Sequence, residues 1–174
     1  WVKVHPLLKI AFSSPWLAGM VRVRHTRTIA KNALPHLLKH APSLLSIYMN
    51  AEHLDPAVVG ELVKTVDDPD PVINRQIAEW IARKDLVLET PVALNLSEVV
   101  KRLELPLLTI VAGGDGIVPG ETAAFAHHEA RRSKKRDLLV VGTPNRPLAH
   151  ADMFISGEAH DAVFRPIGAW LSST

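Results

Sequence analysis

The sequence predicts an α/β fold in which a helical region precedes a short parallel sheet. Up to about residue 104, apolar residues recur at helical spacing between prolines. Beyond it, two apolar runs of strand length, at 107–112 and 138–141, alternate with helical text. Each run ends in a turn or loop rich in Gly or Pro, as a parallel strand–helix–strand unit requires. With 47% hydrophobic residues in 174, the chain can bury a core. Lys and Arg number 20 against 18 Asp and Glu, and this net charge of +2 argues against nucleic acid as the main partner. The absence of cysteine excludes a disulfide scaffold, a Cys-ligated zinc and thiol catalysis. No apolar run is long enough to span a bilayer, and no signal-peptide pattern is visible. Compartment and oligomeric state are left open, with the cytoplasm favoured.

The elements follow in order. Residues 6–12 read as a short apolar helix closed by Ser13-Ser14-Pro15. Residues 26–40 carry Ile29, Ala33, Leu34, Leu37 and Leu38 at helical spacing, with Pro35 expected to kink the helix. Residues 43–52 are apolar nearly all round and read as a further helix. Asp55-Pro56 and Asp70-Pro71 are each an N-cap followed by proline at the first helical position. The second of these opens a helix bearing Ile73, Ile77, Trp80 and Ile81. The runs at 107–112 and 138–141 read as strands buried on both faces. Residues 119–132 form the helix between them, 143–151 a loop, and 159–171 a closing amphipathic helix. We divide the chain into a helical cap or lid, 1–95, and an α/β core segment, 96–174. Two strands make too small a sheet, and the chain begins at Trp1, so it reads as a fragment lacking an N-terminal half.

In an open parallel sheet, functional residues gather beyond the carboxyl ends of the strands. Two titratable residues stand there. Asp115 follows the first strand in Ala112-Gly113-Gly114-Asp115-Gly116-Ile117-Val118-Pro119, and His150 follows the second in Leu148-Ala149-His150-Ala151-Asp152-Met153-Phe154. Neighbouring strands lie about 4.8 Å apart, so their loops can bring the two side chains together. A carboxylate on one imidazole nitrogen fixes the tautomer and stabilises the imidazolium that forms when the other nitrogen takes a proton. That is the acid–base half of a nucleophilic triad.

On these residues, the segment from about 92 to 171 resembles the C-terminal portion of the α/β-hydrolase fold. There the acid often stands in Gly-x-x-Asp-x-x-Val-Pro. Asp115, Val118 and Pro119 keep that register, while Ala112 replaces the first glycine. The family's histidine is often followed by x-Asp and an aromatic, matched by Asp152 and Phe154, and Trp170-Leu171 is similar to its final helix. The order acid then histidine agrees with nucleophile, acid, histidine. The approach through Asn95-Leu96-Ser97-Glu98 is similar to lipase-like and polyester-synthase-like branches.

The resemblance implies a serine hydrolase acting on a small-molecule ester with an apolar acyl group, without metal or organic cofactor. It assigns Asp115 and His150 to catalysis. No Gly-x-Ser-x-Gly occurs in the chain, so the nucleophile and oxyanion donors are expected upstream of Trp1, and the chain alone is expected to be inert. An acyltransferase or polyester synthase, an aspartate-nucleophile hydrolase of the same fold, and a non-catalytic interaction module are the alternatives.

Simpler readings stand beside each of these residues. Asp115 next to glycine suits a tight turn, and His150 suits an ordinary loop. Asp152 is a rival acid or a cap of its own loop. His127 and His128, adjacent on a helix, point in different directions and read as surface residues, not a metal pair. Arg22, Arg24, His25 and Arg27 read as a solvated basic face, and the basic residues of 131–136 as a helix end.

Overall fold

The computed structural model describes residues 14, 16 and 24–174, except 56, 58 and 89–91. The helix expected at 6–12 lies outside the described residues. The remainder is mixed α/β. Helix α1, Thr26–His40, matches the periodicity and contains Pro35. Its first amides are capped from afar, Thr26 N–H donating to Asp68 Oδ1 at 2.7 Å. Helices α2, Val59–Lys64, and α3, Pro71–Arg83, follow. Asp70 caps α3 by accepting from the amides of Val72 and Ile73. A small antiparallel pair, β1 Val87–Leu88 and β2 Leu94–Asn95, leads into α4, Leu96–Lys101. Sequence gave no sign of that pair, whose strands are two residues each.

The main sheet is ordered β3-β4-β5. Strand β3, Leu107–Ala112, runs parallel to β4, Arg136–Thr143, with Leu107 opposite Arg136 and Ala112 opposite Val141. Strand β5, Arg146–Pro147, folds back antiparallel on the end of β4. Between β3 and β4, the single helix expected at 119–132 is two, α5 Gly120–Ala123 and α6 Phe125–Glu129. The chain turns at buried Ala124, whose ψ of 2° lies outside the helical region. After α7, Asp152–Ile155, a π-helical turn over His160–Phe164 runs into α8, Arg165–Ser172.

Two further expectations need correction. Strand β4 is buried on one face only. Leu139 and Val141 pack with Ala112, Leu148, Val163 and Ile167, whereas Leu138 and Val140 on the opposite face are 40% and 56% exposed. Helix α5 packs on β3, and α6 contacts both β3 and β4 but leaves Leu138 and Val140 part-exposed.

Residues 43–52 are not one helix but two short 3-10 turns, Pro42–Leu44 and Ala51–His53, joined by turns. The cause is tertiary. The Ile47 and Tyr48 carbonyls accept from Gly116 and Ala151 at 3.1 and 2.7 Å, and the Asn50 amide donates to Asp152. Backbone groups committed to those partners are not free for a helical ladder.

Two apolar clusters result. One joins the sheet to α8 and the π-helical turn. The other gathers Met49, Leu54 and Ala151 with Leu34, Leu38, Leu45 and Leu62 from the helical region.

Candidate functional site

Parallel pairing puts the carboxyl ends of β3 and β4 side by side; Asp115 follows β3 directly, and His150 follows β5, which folds back on the end of β4. The turn after β3 continues the ladder: Gly113 N–H donates to Val141 O at 2.8 Å, and Gly114 N–H to Leu148 O at 2.9 Å. Glycine is required for so close an approach. A Cβ at Gly114 would stand 2.7 Å from Pro147 Cβ, and one at Gly116 would stand 2.8 Å from Ile47 Cα.

Within this turn, Asp115 divides its two oxygens between two tasks. Oδ1 accepts from the amides of Ile117 and Val118, each at 2.8 Å, which fixes the carboxylate as an Asx turn does. Oδ2 lies 2.8 Å from His150 Nδ1. The Asp115 side chain is 5% exposed and that of His150 35%. A carboxylate only accepts, so this contact assigns the proton to Nδ1 and leaves Nε2 as the acceptor nitrogen. The turn reading of Asp115 and its pairing with His150 are both realised, one on each oxygen.

His150 is held by its neighbours. Leu148, Ala149, Ala151 and Asp152 are all buried, so the loop is anchored on both sides of a partly exposed imidazole. Leu148 belongs to the cluster under the sheet and Ala151 to the helical one, so the imidazole stands where the two meet. The Tyr48 ring lies over it, centroid to centroid 5.8 Å at 33°.

Asp152 sits apart from this pair. Its buried carboxylate accepts from Ala149 N–H at 2.8 Å and Asn50 N–H at 3.0 Å, and meets His53 Nδ1 at 3.3 Å. It therefore caps its own loop and ties it to residues 50–53. Asn50 and His53 were not singled out in the sequence, and Tyr48 was read only as part of the apolar face of 43–52. Partners about a hundred positions apart, such as His53 and Asp152, have no spacing signal to reveal them.

Five of the described serines are engaged elsewhere, whereas the buried Ser156 hydroxyl has no hydrogen-bond partner among the described residues. Ser46, Ser133, Ser172 and Ser173 donate their hydroxyls to backbone carbonyls, and Ser97 Oγ accepts from Leu86 N–H. The rings of His127 and His128 meet edge to face at 79°. Among the described residues, no group of three or more His, Asp or Glu is gathered to hold a metal ion. No helix described is long and apolar enough to cross a membrane.

Comparison with known proteins returns no matching family model, curated protein or solved structure.

Proposed function

We propose that Asp115 and His150 are the acid and base of a serine hydrolase of α/β-hydrolase type, acting on carboxylic esters with an apolar acyl group. The observation that carries this reading is the 2.8 Å contact between Asp115 Oδ2 and His150 Nδ1 at the carboxyl ends of adjacent parallel strands. In this account the nucleophilic serine belongs to sequence preceding Trp1.

His150 Nε2 takes the serine proton as the hydroxyl attacks the ester carbonyl. Asp115 keeps the imidazole oriented and stabilises its protonated form, without taking the proton itself. The imidazolium then delivers that proton to the departing alkoxide, leaving an acyl-enzyme. In the second half, His150 takes a proton from water as water attacks the acyl group, and returns it to the serine. The backbone donors on Asp115 Oδ1 support this work, because they hold the carboxylate still while the other oxygen follows the change of charge on the ring. The apolar cluster containing Ala151, next in sequence to His150, supports an apolar acyl group.

Labelling with a fluorophosphonate tests this on the protein that carries residues 1–174 together with its preceding segment. The expected result is a phosphonylated serine, with labelling lost in His150→Ala. Labelling that is unchanged in that variant, or absent from the wild type, overturns the reading.

A further inference from the structure

A groove of about 830 Å3 opens between α1 and α2, and none of its lining residues belongs to the Asp115 turn or the His150 loop. Its floor is apolar, with Leu38, Leu54 and Val63 contributing and the last two buried. Four cations line it, Arg27, Lys31, Lys39 and Lys64, and no acidic residue does. Arg27, Lys31, Pro35 and Lys39 recur every fourth residue, so they share one face of α1 over about 18 Å.

Two of these charges are already met. Arg27 Nη2 lies 2.8 Å from Asp67 Oδ1, and Lys64 Nζ lies 2.5 Å from Glu61 Oε1. Lys31 and Lys39 have no carboxylate partner among the described residues. Lys39 stands in the last turn of α1, where the helix macrodipole favours a cation. Lys31, in mid-helix, has no such reason to border an apolar groove.

An apolar trough with unpaired ammonium groups along one wall complements an amphiphile with one negative head. The volume falls within the roughly 300–1,000 Å3 of small-molecule sites, which favours a single lipid-like molecule over a peptide. We propose that this groove binds a free long-chain fatty acid as its carboxylate, with the chain along Leu38, Leu54 and Val63 and the head between Lys31 and Lys39. This assignment stands independently of the ester-hydrolase reading.

Calorimetric titration with dodecanoate, kept below its micellar concentration, tests it. One equivalent binds, and dodecanol binds at least about tenfold more weakly, because the charge-assisted contacts are lost. Shortening to decanoate weakens binding by up to about fourfold per methylene removed. The Lys31→Gln/Lys39→Gln variant loses at least about tenfold in affinity. Gly60 lines the groove, and a Cβ there meets nothing within 4 Å, so Gly60→Phe fills the trough without backbone conflict and removes binding while the circular dichroism is unchanged. His150→Ala binds as the wild type does. Absence of binding, equal affinity for dodecanol, or indifference to both groove variants overturns the assignment. Association only with phosphatidylglycerol vesicles, and not with monomeric dodecanoate, overturns it in favour of a membrane surface.

Discussion

His53 Nδ1 meets Asp152 Oδ2 at 3.3 Å with both side chains shut off from solvent, and the same carboxylate caps the loop that carries His150. Removing the carboxylate strands a buried imidazole and the amides of Asn50 and Ala149. We expect Asp152→Ala to cost about 3–5 kcal/mol. Urea denaturation checks this, and a loss below about 0.5 kcal/mol would mean that the network is not structural.

Gly116 in the Asp115 turn and Gly60 on α2 separate by what surrounds them. Gly116→Ala brings a Cβ within 3 Å of Ile47 backbone atoms and is expected to cost about 1–3 kcal/mol. Gly60→Ala enters open space on α2 and is expected to stabilise by up to about 1 kcal/mol. Paired melting curves give the two signs. Equal effects would contradict the close packing of residue 47 on the turn.

Two carboxyls give acid pH a defined effect. The backbone amide of Thr26 is the chief cause of a lowered Asp68 pKa, and the Ser97 hydroxyl, then Asn95, of a lowered Asp85 pKa. A lowered native pKa contributes stability that is fully present above the unfolded value, about 3.9, and is lost as pH falls through the native one. The start of α1 and the β1–β2 region therefore loosen in acid, not in base. Carboxyl carbon shifts followed by NMR should give both midpoints below the ordinary aspartate range; midpoints above it would contradict these contacts.

Strand β3 has β4 on one side and no strand on the other among the described residues, and the outer face of β4 exposes Leu138 and Val140. An open apolar edge templates association. The 174-residue chain alone is expected to aggregate. Leu138→Lys/Val140→Thr should reduce light scattering without lowering the melting temperature. A sharp two-state transition in a monomeric wild-type chain would contradict this.

The helix that opens on Asp70-Pro71 and the strand at 107–112 were legible because cap, period and run length are local properties. Asp115 and His150 were legible because each follows its strand, and a parallel pair aligns their exits. Residues 43–52 misled, since an apolar stretch with helical spacing gives no sign that its carbonyls serve Gly116 and Ala151. The half-exposed face of β4 was equally hidden, because a continuous apolar run does not say how many layers cover it. Asp152 offered its loop-capping role in sequence but not its partner, His53.

The Asp115→Asn variant addresses the central claim most directly. Asparagine retains an acceptor oxygen for the Ile117 and Val118 amides. It turns an amide donor toward His150 Nδ1, so the imidazole proton moves to Nε2 and the base is lost. Measured on an activated carboxylic ester with the protein that includes the segment before Trp1, kcat should fall by about 10⁴-fold at unchanged melting temperature. A kcat within about tenfold of the wild type would show that the Asp115–His150 contact is not the acid–base pair of the reaction.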